Sequence, residues 1–105
     1  MALVVIVTIP GDKAQSLAKI LVESKLCACA NIISGVKSLF WWQGKIDSAD
    51  ESILMLKTKN NLFAKLKKLI KENHPYDVPE IIAFKIAKGN KEYLAWIKES
   101  CSKQK

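Results

Sequence analysis

The chain has 105 residues, half of them hydrophobic, and a formal net charge of +7. That length fits one domain, residues 1–105, with a real core, and that composition excludes a disordered chain. All seventeen basic residues are lysine. The planar arginine fork that favours base and phosphate recognition is therefore missing, and a nucleic-acid partner is not expected.

The cysteines are Cys27, Cys29 and Cys101, an odd count with neither a disulfide framework nor a C-x-x-C spacing. They point to a reducing compartment, read here as cytoplasmic. The apolar opening "MALVVIVTIP" is too short to span a bilayer and lacks the basic start of a signal peptide. It reads instead as a first strand, Ala2 to Ile9, nearly continuous in β-branched residues and so expected to be covered on both faces.

Pro10-Gly11 breaks that strand. Asp12, with Gln15 three residues on, is expected to cap a helix from Lys13 to about Ser24, whose buried face is Ala14, Leu17, Ala18 and Leu21. From Cys27 to Lys59 the pattern is β again, a hairpin with long arms whose turn falls at Gln43-Gly44 or at Asp47 to Asp50. Adjacent Trp41 and Trp42 must point to opposite faces of a strand. At least one therefore needs cover from a second surface, which favours an oligomer.

Asn60 or Asn61 is expected to cap a second helix with Leu62, Phe63, Leu66, Leu69 and Ile70 on one face and lysines on the other. Pro75 ends it by His74. "EIIAFKIA" is the last strand, and Gly89-Asn90 leads into a final helix from Lys91 to about Cys101, followed by a frayed tail "SKQK". The order β-α-β-β-α-β-α is an α+β, ferredoxin-like sandwich with an extra C-terminal helix and a long hairpin.

Phosphate loops, dinucleotide loops and nucleophile elbows are absent from the sequence, and no enzyme is expected. Two features carry chemistry. "HPYDVPEII" holds the single histidine and presents His74, Tyr76, Asp77 and Glu80 on a proline-bracketed segment, readable as a stiff connector or as a binding loop. Lys57, inside the apolar run "LMLKTK", needs a partner or a cleft, or else snorkels at a strand end.

"LCACANI", "SLFWWQGKI", "LKT", "HPYDVPEII" and "YLAWI", in this order and spacing, resemble the CutA family of divalent-cation tolerance proteins along essentially the whole chain. The resemblance implies a ferredoxin-like homotrimer whose hairpins pair across subunits, and binding of copper(II) or a similar divalent ion. Some relatives are linked to protein partners, so a protein partner is a further expectation. Shared residues lining clefts between subunits fall here on Cys29, Trp42, Lys57, His74, Tyr76, Glu80 and Trp96. Of these, His74 and Cys29 are the metal ligands that the resemblance implies. The chain departs from its relatives at Cys27, an added thiol, and at Phe40, where a tyrosine is usual. Val7 and Asn73 stand where some bacterial members carry proposed cysteine and histidine ligands. A metal-independent small-molecule or scaffold trimer using the same clefts is the alternative reading.

Overall fold

Strand β1, Ala2–Pro10, is the spine of the sheet, and its alternation divides the molecule. Leu3, Val5, Val7 and Ile9 are buried, while Val4, Ile6 and Thr8 are only half-buried. The expectation of two covered faces is thus met on one side only. The buried side chains join Leu17 and Leu21 of the first helix and Leu66 and Ile70 of the second in a single core. Each such side chain contributes about 1.5–3 kcal/mol on leaving water. The computed structural model describes residues 1–102, so most of the expected tail, 103–105, lies outside the described residues.

Helix α1, Gly11–Glu23, starts earlier than expected. Pro10 occupies the cap position, and no side chain caps the helix. Asp12 sits inside the first turn, where its charge meets the positive helix end without capping it. The buried face is the expected Ala14, Leu17, Ala18 and Leu21.

The hairpin is formed by β2, Cys29–Trp42, and β3, Lys45–Lys59. Its turn is Gln43-Gly44, both residues at positive φ (50° and 76°), as a two-residue type I′ turn demands. The other candidate, Asp47 to Asp50, lies within β3. Between Ile33 and Val36 the register shifts: Ser34 and Gly35 oppose Ser52 alone. Gly35 takes φ of +75° at this bulge, which a side chain resists.

A 3-10 turn, Asn60–Leu62, precedes helix α2, Phe63–Asn73, so neither Asn60 nor Asn61 caps the helix as expected. The helix stops where Pro75 forces His74 into extended backbone. Strand β4, Ile81–Lys85, is shorter than the hydrophobic run that encodes it. In helix α3, Lys91–Ser100, the cap is the expected one: Asn90 Oδ1 accepts the Glu92 N–H at 3.0 Å.

The result is an α+β fold whose four-stranded antiparallel sheet runs β2-β3-β1-β4, with three α-helices among the described residues. On the half-covered face the register builds two cross-strand rows. One runs Cys29, Lys57, Val4 and Phe84; the next runs Asn31, Met55, Ile6 and Ile82. Phe84 is 54% exposed and Trp42 59% on this face, while Trp41, 74% exposed, points to the other. Apart from the polar groups at its β2 end, this is a core-like surface left in contact with water.

Cys27 and Cys101 are buried, and Cys29 is half-buried. Burial, then the neighbouring Cys101 and Cys29, push the Cys27 thiol up to about 12, and burial also raises Cys101. Neither is a ready thiolate. In native protein a charged thiol reagent should leave Cys27 and Cys101 unlabelled until denaturant is added; native labelling of Cys27 by mass spectrometry would contradict this packing. Gly35→Ala meets open space, so its expected cost of about 1 kcal/mol in urea unfolding comes from backbone conformation alone.

Candidate functional site

The connector 74–80 is held to the sheet by its first and third residues. His74 Nε2 lies 2.8 Å from the Thr8 carbonyl, which only accepts, so that nitrogen carries the proton. His74 Nδ1 then accepts the Tyr76 N–H at 3.1 Å. The prolines on either side leave this short loop little freedom.

Tyr76 reaches across to β3 and donates its hydroxyl to Glu51 Oε2 at 2.7 Å. Glu51 is only 7% exposed. Burial, then the hydrogen bond and charge of Glu51, push the Tyr76 phenol up to about 12.

Between connector and hairpin lies a cleft of about 740 Å³. Phe40, Trp42 and Tyr76 give it aromatic walls. Asp47, Glu51, Asp77 and Glu80 give it four of the chain's ten carboxylates, and no lysine among the described residues lines it. The bulge explains the composition. Past it, the even-numbered residues of β2 fall in register with Glu51, Asp47 and Lys45, so Phe40 and Trp42 come to the cleft side.

A second cluster sits at the other end of β3. Lys57 faces Cys29 across the register, and its Nζ donates to Asn31 Oδ1. Cys29 Sγ approaches the same oxygen at 3.6 Å. Burial, then Cys29 beside it, raise the Tyr93 phenol, and Tyr93 packs against Trp96 with ring centroids 5.5 Å apart. The lysine's neighbour is an amide; the ion pair formed among the described residues is Lys37–Asp50, on the exposed hairpin.

The sequence-derived residues therefore separate into two groups. Trp42, Tyr76 and Glu80 line the cleft, with His74 behind Tyr76; Cys29, Lys57 and Trp96 belong to the second cluster. Six residue steps along β3 separate Glu51 from Lys57, about 20 Å of strand. His74 and Cys29 do not meet within one chain, and among the described residues no three His, Cys, Asp or Glu side chains are placed to share a metal ion. Glu51, Asp47, Asn31 and Tyr93 escaped the sequence reading. Glu51 had a signal, since it shares strand parity with Ile53, Met55 and Lys57 and is a carboxylate at the head of that run.

A family model described as CutA1 divalent ion tolerance protein matches residues 3–100. The Divalent-cation tolerance protein CutA of Thermus thermophilus is 47% identical over 98 residues, 92% of this chain and 95% of that protein. Protein CutA 1, chloroplastic, of Oryza sativa is 44% identical over 100 residues; these make up 94% of this chain and 56% of that protein. Among solved structures, a divalent cation tolerance protein from Thermus thermophilus superposes with a TM-score of 0.94 at 46% identity, covering 97% of this chain and 100% of that one. A periplasmic divalent cation tolerance protein CutA from Archaeoglobus fulgidus gives 0.91 at 42% identity, over 95% and 98%.

Tyr76→Phe removes the donor from a nearly buried carboxylate and should lower stability by about 1 kcal/mol, read by urea unfolding at pH 7. The phenol holds its proton more tightly folded than unfolded. Its contribution is therefore complete below pH 10 and is lost as pH rises towards 12, so wild type and variant should converge over that window. A difference that stays constant across it would contradict the pairing.

Proposed function

The chain belongs to the CutA1 family of divalent ion tolerance proteins, and on that footing we propose that it serves the response to divalent metal ions as a homotrimer, holding copper(II) or a similar ion weakly where two subunits meet. The observation that carries this reading is the separation of the family-type site residues into two incomplete clusters at opposite ends of β3. Each is partly exposed, and each adjoins apolar surface. A head-to-tail contact would bring one subunit's cleft to the next subunit's Cys29–Lys57 corner, and such contacts close into rings. The element order and the strand order β2-β3-β1-β4 support a ferredoxin-like subunit. The exposed rows on the sheet and the two tryptophans supply the apolar area that a stable ring needs.

His74 fits a ligand's posture. Its Nε2–H is anchored on a backbone carbonyl, which is how metal-binding histidines are oriented, and Nδ1 is the nitrogen left to bind. Taking that nitrogen means displacing the Tyr76 N–H, a cost of about 1 kcal/mol that keeps affinity low. The imidazole, the neighbour's Cys29 thiolate and the cleft carboxylates form a donor set that copper(II) accepts. We read the cleft as a binding rather than a catalytic site, and the free cysteines as suited to a cytoplasmic setting.

Native mass spectrometry during a copper(II) titration tests this. A trimer should take one ion per subunit, and Cys29→Ala or His74→Ala should each abolish uptake. Co-refolding the two variants should restore a single site per mixed ring, because only one junction then has both ligands intact. Unchanged uptake in both variants would remove the ligand assignment, and a monomer would remove the assembly.

A further inference from the structure

Cys27 and Cys101 are far apart in sequence, yet backbone bonds on either side of each carry them to one place. Thr58 donates its hydroxyl to the Leu26 carbonyl at 2.6 Å, and the Ala28 N–H reaches the Lys57 carbonyl at 2.8 Å. Cys27 is therefore clamped between two bonds to the end of β3. At the other end of the chain, the Cys101 N–H closes helix α3 on the Ile97 carbonyl at 3.2 Å. The next N–H, that of Ser102, donates to the Lys25 carbonyl at 2.8 Å. Cys101 Sγ lies 4.0 Å from the Lys57 carbonyl oxygen, the same atom that the Ala28 N–H holds.

The Cys101 thiol and the residue after Cys27 thus meet at a single backbone oxygen, and both cysteines belong to the same buried core. Neither takes part in the metal reading, which draws on Cys29. The place also matters mechanically. Helix α1 buries four residues and α2 buries two, whereas α3 buries only Ile97. A helix so lightly held opens at low free energy, and its last turn is where a covalent tie would count most.

We infer that Cys27 and Cys101 are a disulfide site, closed when the chain folds in an oxidising setting and left as two thiols in a reducing one. The reaction belongs to folding. Once α3 has docked, burial pushes Cys27 up to about 12 and raises Cys101 as well, so neither supplies the thiolate that exchange needs. The oxidant is a small-molecule disulfide such as oxidised glutathione. The Cys101 sulfur attacks it before docking, its S–S bond breaks, and one glutathione leaves as a thiol with the Cys101 proton. The Cys27 sulfur then attacks the mixed disulfide at Cys101, and the second glutathione leaves with the Cys27 proton. Two protein thiols are oxidised, and one glutathione disulfide is reduced to two thiols. The bond closes a loop that spans most of the chain, which restricts the unfolded chain strongly.

Refolding the urea-denatured full chain into glutathione buffers of graded redox poise tests this, because the unfolded chain gives the oxidant free access to every thiol. At oxidising poise, mass spectrometry after alkylation in denaturant should show Cys27 and Cys101 lost together and Cys29 still free. The link should persist in Cys29→Ala and vanish in Cys27→Ala and in Cys101→Ala, each of which keeps a small apolar side chain in place. At matched protein concentration the linked form should melt about 5 °C or more above the reduced one, and its α3 amides should exchange more slowly. Cys27→Ala should show no such difference between the two buffers. A link from Cys101 to Cys29, a link between chains, or free Cys27 and Cys101 at oxidising poise would overturn the proposal. A linked form that melts no higher than the reduced one would overturn it too.

Discussion

The register of the β2–β3 hairpin is the constraint on which everything else rests. Slipping a strand by one residue turns every side chain to the opposite face, so a long hairpin needs its pairing fixed firmly. Gln43-Gly44 does so at the tip, through a turn whose two residues both lie at positive φ. The bulge at Gly35 then changes the register once, at a defined place. Below it, the odd-numbered residues of β2 share rows with Lys57 and Met55; above it, the even-numbered ones share rows with Glu51 and Asp47. One extra residue thus lets the same strand offer Cys29 and Asn31 to one cluster and Phe40 and Trp42 to the other. A hairpin without it would turn the aromatic walls away from the carboxylates.

Electrostatics divides along the same line. The chain is basic overall, yet four of its carboxylates gather around one cleft, and Lys57 stands on the sheet with no acidic partner among the described residues. Neither arrangement favours the isolated subunit. Like charges gathered on one side of a cleft raise its local potential and draw an opposite charge towards it. A charge distribution that folding does not neutralise belongs to recognition. This is why the cleft can be argued as a site with no activated nucleophile or preformed metal cage inside it.

Much of this was legible in the residues. The helical face of α1, the Asn90 cap, the stop imposed by Pro75 and the order of elements all follow from local rules that tertiary structure left undisturbed. The capping predictions that failed, at Asp12 and at Asn60 or Asn61, failed because neighbouring backbone took over: Pro10 enters α1 directly, and a 3-10 turn leads into α2. The site was half legible. "HPYDVPEII" announces itself by its prolines, and Lys57 by its apolar surroundings. Glu51 becomes a site residue only because Tyr76, 25 positions on in sequence, arrives opposite it. A long-range contact of that kind leaves no short-range trace.

The two clusters also bear on how one subunit can contribute to a site shared with its neighbour. An ion that draws on Cys29 and His74 needs both ends of β3, and hence a neighbour in the proposed ring. The Tyr76 bridge has two ends, because its backbone N–H rests on the imidazole nitrogen and its hydroxyl on the buried carboxylate. An ion that pulls His74 Nδ1 away from Tyr76 loosens one end of that bridge. A single tyrosine thus ties the imidazole to the buried carboxylate, so an ion taken at His74 is felt at the cleft floor.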